Sequence, residues 1–237
     1  MVRNSPILEL HDLRFAWPKQ ELLLDIAEFT LQPQQRLFLK GPSGSGKTTL
    51  LGLLGGVQLP QSGSIKLLGQ DLSLLSASAR DRFRADHSGF IFQQFNLLPF
   101  LSVLDNVLLP CQFSKLRKQR AAARHGSIQA AAQALLLQLG LEQKLHEKQA
   151  GALSIGQQQR VAAARALIGQ PELVIADEPT SALDADSREA FLQLLFSECK
   201  TANASLLFVS HDQSLAPLFD RNIDLTELNH VTRKQEI

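Results

Sequence analysis

Gly41, Pro42, Ser43, Gly44, Ser45, Gly46, Lys47, Thr48 and Thr49 form a glycine-rich loop between a short apolar run, residues 36–40, and a leucine-rich run, residues 50–54. Gly41, Gly46, Lys47 and Thr48 stand at the spacing G-x-x-x-x-G-K-[ST], in which every position has a physical task. The glycines admit backbone conformations that a Cβ would obstruct, so that successive N–H groups turn inward onto an anion. The apolar run reads as a buried strand and the leucine-rich run as a helix, whose N-terminal amides and positive dipole end face the same anion. Lys47 reaches β- and γ-phosphates as a mobile charge, and the Thr48 hydroxyl is placed to ligate Mg²⁺. The loop by itself is compatible with a kinase, a GTPase or an ATPase that drives movement.

The whole chain of 237 residues is long enough for one large domain or two small ones, and a hydrophobic fraction of 44% supports a well-filled core. Lys and Arg number 24 against 23 Asp and Glu, so the formal charge of +1 gives no general attraction to nucleic acid or anionic lipid. Cys111 and Cys199 lie far apart with no C-x-x-C spacing, which points to a reduced, cytoplasmic setting rather than a disulfide framework or zinc site. Residues 1–10 hold one arginine and no apolar run of signal-peptide length, and no segment offers the roughly 18 apolar residues of a membrane helix. Service to a membrane is expected to pass through a partner.

Along the chain, residues 7–15 alternate apolar and polar and read as an edge strand ending at Trp17 and Pro18, followed by an extended stretch over residues 22–31. Trp17, the only tryptophan, precedes the phosphate loop and is a candidate to stack on a nucleotide base. Residues 64–68 leave a tight turn as a strand that would return to pair with the N-terminal strands. Residues 77–86 read as a charged helix and residues 89–92 as a buried strand, with Gln93 and Gln94 at its carboxyl end, where open α/β sheets place ligand contacts. Ser102 caps a helix over residues 102–109, with Asp105 in the capping-box position, closed by Pro110. The basic run of residues 115–120 reads as a solvated helix face or loop. Ile128, Ala131, Leu135 and Leu139 share a helical face with Gly140 as its cap. Residues 95–152 together suggest a small helical subdomain inserted into an α/β core. Strand and helix then alternate again (helix 156–168, strand 173–176, helix 186–199, strand 206–209), which argues for a mostly parallel, covered sheet.

Asp177 and Glu178 end the apolar strand at residues 173–176 and supply what phosphoryl transfer still needs. Asp177 can hold Mg²⁺, directly or through water, and Glu178 can orient or deprotonate an attacking water. Farther along, Ser154 and Gln157 read as the cap and capping-box partner of a helix start, itself an anion site.

In this order the motifs resemble the nucleotide-binding subunits of ATP-binding cassette (ABC) proteins, over about residues 7–225. The most specific piece is Leu153, Ser154, Ile155, Gly156, Gln157, Gln158, Gln159 and Arg160, which is similar to the family signature L-S-G-G-Q. The resemblance implies an α/β P-loop NTPase (RecA-like) fold, with a mostly parallel core sheet, an N-terminal antiparallel β subdomain and an inserted α-helical subdomain. Residues 1–92 and 157–237 would form the core with its β subdomain, and residues 93–156 the helical subdomain. It further implies that Ser154, Gly156 and Gln157 meet the γ-phosphate of ATP held by a second, identical subunit. Trp17 falls where the family stacks adenine, Gln93 at its Q-loop as a metal and water ligand, Ser181, Ala182, Leu183 and Asp184 at its D-loop, and His211 at its switch position. Glu178 would then be the general base, with His211 and Asp184 organising it, and Thr48, Gln93 and Asp177 would hold Mg²⁺. Ile155 departs from the consensus, standing where the first signature glycine belongs. Being β-branched, it requires that the backbone there be reachable with ordinary φ.

Residues 90–99 and 103–107 resemble the branch of lipoprotein-release, macrolide-export and cell-division ATPases. That branch implies an ATPase on the cytoplasmic face of the bacterial inner membrane, driving an integral membrane permease with a large extracytoplasmic domain. The apolar residues 95–100 would line the groove that receives it. No nucleic-acid partner is expected. A soluble ABC ATPase acting on DNA or ribosomes lacks its usual coiled-coil insertion or second cassette here, and a small-molecule kinase leaves residues 154–160 without a task.

Overall fold

The computed structural model describes residues 5–231; residues 1–4 and 232–237, which fall in the expected core segments and in the N-terminal stretch read above, lie outside the described residues. Strands β1 (Leu8–Ala16), β2 (Leu22–Leu31), β4 (Ser62–Leu67) and the short β5 (Gln70–Asp71) build an antiparallel sheet in the order β2-β1-β4-β5. Leu8, Leu10, Leu13 and Phe15 of β1 are all buried, although a strict two-residue alternation would place the first pair and the second on opposite faces. The left-handed Asp12, with φ of 49°, and a register shift between His11 and Arg14 absorb the extra residue and return Leu13 to the core. Expected at an edge, β1 is instead central, because β4 comes back on its other side and leaves β2 and β5 at the edges.

The second sheet is parallel throughout: β3 (Arg36–Lys40), β6 (Ser88–Ile91), β7 (Leu173–Asp177), β8 (Ser205–Val209) and β9 (Arg221–Asp224) run in the order β6-β7-β8-β3-β9. Its central strands are apolar runs because both faces are covered. Leu37, Leu39, Ile175, Leu207 and Val209 pack with the antiparallel sheet and with α1 (Lys47–Leu54), while Phe38, Val174, Ala176, Leu206 and Phe208 pack with helices on the opposite face. The remaining α-helices are α2 (Ala77–His87), α3 (Val103–Phe113), α4 (Lys115–His125), α5 (Ile128–Gln138), α6 (Ile155–Leu167), α7 (Ala185–Ala202) and the single turn α8 (Leu225–Leu228). No helix among the described residues is long and apolar enough to cross a membrane.

Three local expectations fail for physical reasons. The α3 helix does not close at Pro110 but runs through it to Phe113. Proline removes one N–H, and the burial of Val107, Leu108 and Cys111 holds the helix together around the missing bond. The α3 cap also departs from a capping box: the Asp105 amide donates to Ser102 Oγ at 2.9 Å, and the Ser102 hydroxyl donates in turn to the Asp105 carboxylate at 2.7 Å. In the basic run, Arg117 is buried rather than solvated. Its guanidinium donates to the carbonyls of Ile168 and Ala166, each at 2.7 Å, of Arg165 at 3.2 Å and of Ser88 at 3.3 Å. Three of these carbonyls belong to the C-terminal end of α6, where helices leave acceptors unpaired. Burial lowers the Arg117 pKa to about 10, which leaves it charged near neutrality.

Beside this anchor, Glu172 accepts from Arg120 Nη2 at 2.7 Å and from His87 Nδ1 at 2.9 Å. Burial pushes the Glu172 carboxyl up, but the hydrogen bonds from His87 and Arg120 outweigh it and bring the pKa to about 2, from 4.5. A depressed carboxylate stabilises the fold above its unfolded pKa and loses that contribution as the pH falls through the folded value. Glu172→Gln is therefore expected to lower the unfolding free energy by about 2 kcal/mol above pH 5, allowing for solvent screening. The gap between variant and wild type should close between pH 4.5 and 2. Urea denaturation at stepped pH values measures it, and a gap that does not narrow with acid refutes the assignment.

Candidate functional site

The residues predicted to cradle phosphate lie where β3 ends and α1 begins, at the carboxyl edge of the parallel sheet. Gly44 and Gly46 have φ of 73° and 98°, in the region that L side chains avoid, which confirms that the loop needs glycine at both. Gly46 is the N-cap of α1 and offers no side chain to its first amides, so these remain available to an anion. Lys47 Nζ donates to the carbonyl oxygens of Gly41 at 2.6 Å and Pro42 at 2.9 Å, arching across its own loop. Ser45 is buried beneath it.

The acidic pair reaches this loop from β7. Thr48 Oγ1 donates to Asp177 Oδ2 at 3.2 Å, and burial raises the Asp177 pKa, with the Thr48 hydrogen bond acting against the rise. The chain turns at Glu178, whose φ is 48°, and its N–H donates to the carbonyl of Val209 at 2.9 Å. That turn leaves the carboxylate largely buried, with His211 Nδ1 at 2.8 Å from Oε2 and the imidazole itself mostly exposed. Gln93 enters from the end of β6. Together the loop residues Ser43, Gly44, Gly46, Lys47, Thr48 and Thr49 and the side chains of Gln93, Asp177, Glu178 and His211 surround a cleft of about 430 Å³.

The remaining site candidates lie elsewhere. Trp17 is 36% exposed and packs edge-on against Phe15, centroids 5.2 Å apart, outside the lining of the cleft. Ser154 caps α6 in a full capping box: its N–H donates to Gln157 Oε1 at 3.0 Å and its Oγ accepts from Gln157 N at 3.4 Å. Ile155 is the first helical residue, with an ordinary negative φ, and is more than half exposed. A Cβ added at Gly156 would meet only Leu183, at 3.9 Å, so this helix end is open. Asp184 does not touch Glu178 within the chain; it caps α7, accepting from the Ser187 amide and hydroxyl, each at 2.9 Å. The Ser187 amide, with its hydroxyl next in weight, holds the Asp184 carboxyl below the usual range.

Several participants escape sequence reasoning because only tertiary folding brings them in. Leu23, from β2, walls one side of the cleft. Its carbonyl accepts from Asn229 Nδ2 at 2.9 Å, and Asn229 Oδ1 accepts from the Asp25 amide at 2.8 Å. Arg188 on α7 pairs with Asp212, next to His211, and donates to the Leu183 carbonyl at 3.2 Å, so one side chain spans the loops that carry His211 and Asp184. Gln159, 1% exposed, donates to the Pro179 carbonyl at 2.8 Å. Beside Gln93, Phe92, Leu98 and Phe100 are exposed apolar side chains.

Mg²⁺ favours hard oxygen donors, few of them from protein when a ligand's phosphates supply others. The Thr48 hydroxyl beside the Asp177 carboxylate fits that pattern, and among the described residues no group of three or more His, Cys, Asp or Glu forms a denser metal cage.

Comparison with known proteins meets the same elements. Residues 24–181 match the family described as ABC transporter. The "Uncharacterized ABC transporter ATP-binding protein YbbA" of Escherichia coli K12 is 41% identical over 223 residues, 92% of this chain and 94% of that protein. The "Lipoprotein-releasing system ATP-binding protein LolD" of Hydrogenovibrio crunogenus is 42% identical over 200 residues, 84% of each chain. Among solved structures, the ATP-binding cassette MJ0796, dimeric in a post-hydrolysis state with ADP and Pi bound, superposes with a TM-score of 0.79 at 31% identity, covering 92% of this chain and 93% of that one.

Proposed function

The chain belongs to the ABC transporter family, as an ATP-hydrolysing subunit that pairs with a second cassette and works with a membrane permease, and on that premise we propose how its residues divide the work. Gly41, Pro42, Ser43, Gly44, Ser45, Gly46, Lys47, Thr48 and Thr49 hold the phosphates of ATP, and Trp17 stacks the adenine. Ser154, Gly156 and Gln157 of a second copy close the site from the other side. One observation carries this reading: the N-terminus of α6, open beside Gly156, does not line its own chain's cleft, so a phosphate that meets it there is held by another molecule.

Thr48, Asp177 and Gln93 would hold Mg²⁺, which when bound offsets the negative charge on the phosphates. Lys47 exchanges its loop carbonyls for phosphate oxygens, and the α1 amides stabilise the charge that develops on them. Glu178 accepts a proton from the attacking water as the new oxygen–phosphorus bond forms and the bond to the β-phosphate oxygen breaks. His211 holds the Glu178 carboxylate through the Nδ1 contact. The cargo is lipoprotein, lipophilic or peptide-like, moved or pulled by a permease with an extracytoplasmic domain, the chain sitting on the cytoplasmic face of the bacterial inner membrane. The exposed Phe92, Leu98 and Phe100 would receive that permease. Work on DNA or ribosomes draws no support from relatives that are transporter subunits.

Gly156→Asp tests the composite site. A carboxylate at the open end of α6 repels phosphate held by the partner while leaving the chain's own cleft untouched. The expected result is ATP binding to the monomer within twofold of wild type and hydrolysis reduced more than 100-fold. Full hydrolysis in this variant would sink the composite site.

A further inference from the structure

Gln159 is a glutamine at a position where α6 is otherwise sealed by apolar side chains: Val161, Ala162, Ala163 and Ala164 are fully buried, and Gln159 itself is 1% exposed. A side-chain amide so placed is unfavourable unless it is paired. Its Nε2 donates at 2.8 Å to the carbonyl of Pro179, the residue directly after Glu178. Glu178 occupies a left-handed conformation, tethered by its own N–H to Val209 and by its carbonyl to the Ser181 amide at 3.2 Å. The bond from Gln159 is thus a side-chain tether on the Pro179–Thr180 peptide, one peptide beyond the one that Glu178 itself closes, and it comes from a different element.

That element carries two other attachments. Its N-terminal turn presents Ser154 and Gly156 to the outside. Eleven residues from Ser154, roughly 16 Å along the helix axis, Arg165 donates to the carbonyls of Asn96, at 2.6 Å, and Phe95. Phe95 and Asn96 both have positive φ and directly follow Gln93 and Gln94, so Arg165 braces an unusual turn at the mouth of the cleft. From Gln157 to Leu167 the helix has neither glycine nor proline to kink it.

We infer that Gln159 is a positioning residue for Glu178, transmitting the seating of the α6 N-terminus on a partner's nucleotide to the peptide that aims the carboxylate. The inference rests on the composite-site reading and deepens it. When α6 shifts along its axis, the Pro179 carbonyl follows, and the carboxylate is aligned with the attacking water only in the seated position. Uncoupled, ATP still binds but the carboxylate is misaimed, a defect of up to about 100-fold in rate for a displacement near 1 Å.

Gln159→Leu keeps the side-chain volume and removes the donor, and Gln159→Met serves where the leucine strains the packing. For the purified chain, kcat for ATP is expected to fall 10- to 100-fold, with KM within twofold of wild type. Independently of activity, hydrogen exchange at the Ser181 and Leu183 amides should accelerate, while exchange in β7 stays unchanged. A kcat at the wild-type level with unchanged exchange at Ser181 and Leu183 overturns the inference. So does a loss of kcat matched by an equal rise in KM, which marks a general weakening of the site. Glu178→Gln measured in parallel separates the two levels: if it retains hydrolysis, the assignment of the base is wrong, whereas if it is inactive and Gln159→Leu is normal, only the inference about Gln159 falls.

Discussion

Glu178→Gln will reduce steady-state ATP hydrolysis by about 10²- to 10⁴-fold while leaving ATP binding intact. An amide has nearly the volume of a carboxylate and retains an oxygen for the His211 contact, so the surroundings seen at 2.8 Å need not rearrange. What it lacks is the ability to take a proton from water. Because the left-handed backbone at 178 is held by the Val209 and Ser181 bonds rather than by the side chain, the substitution leaves the turn in place. With hydrolysis blocked, the ATP-bound pair cannot reset, and light scattering should show a stable dimer with ATP and a monomer with ADP. A variant that hydrolyses ATP near the original rate would remove Glu178 from the base position and return the role to another group at the cleft.

Arg117→Leu is expected to produce the largest loss of stability of any single substitution in the helical region, about 3–5 kcal/mol in urea denaturation. The guanidinium is surrounded by the carbonyls of Ser88, Arg165, Ala166 and Ile168, all of which lose a donor at once in a buried setting. Domains of this kind hold only about 5–15 kcal/mol in total, so the variant should sit close to its unfolding transition at body temperature. Arg117→Lys should recover less than half of the loss, because an ammonium is a point donor and cannot reach a fan of acceptors as a planar fork does. A measured loss below 1 kcal/mol would mean that water replaces the guanidinium and that the anchor is not structural.

The contrast between Lys47 and Arg117 shows what could be read from the chain and what could not. Lys47 declares itself because its neighbours in sequence are also its neighbours in space: Gly41, Gly46 and Thr48 lie within one loop, and their spacing alone encodes the geometry. The same holds for Ser154 and Gln157, three residues apart and joined by two mutual bonds. Arg117 sits in a run with Lys115, Lys118 and Arg120 that looks uniformly basic, and only the C-terminal end of α6, some fifty residues later, gives it a distinct task. Asp184 carries a second, local task beside the D-loop role that the resemblance implies: its carboxylate caps the start of α7, a preference that the serine three residues on advertises. Pro110 is a stop by local chemistry alone, and the buried face of α3 overrides it. Leu23 had no local signal at all, since its position depends on how the two sheets are stacked.

The pairing of β3 carries a consequence for the newly made protein. The strand that delivers the phosphate loop is complete by residue 40, yet its hydrogen-bonding neighbours are β8 and β9, made from residues 205–224, and the Leu23 wall is fastened by Asn229. A nascent chain emerging from the ribosome therefore carries all the residues of the loop for most of its synthesis without the sheet that shapes them. Chains cut short by premature termination or proteolysis before residue 205 lack both flanking strands, and would be poor competitors for nucleotide or for intact partner subunits. Strand order thus makes the phosphate loop depend on residues far downstream of it, and the strand that delivers the loop gains its neighbours only after α6 and its Ser154 cap have been made.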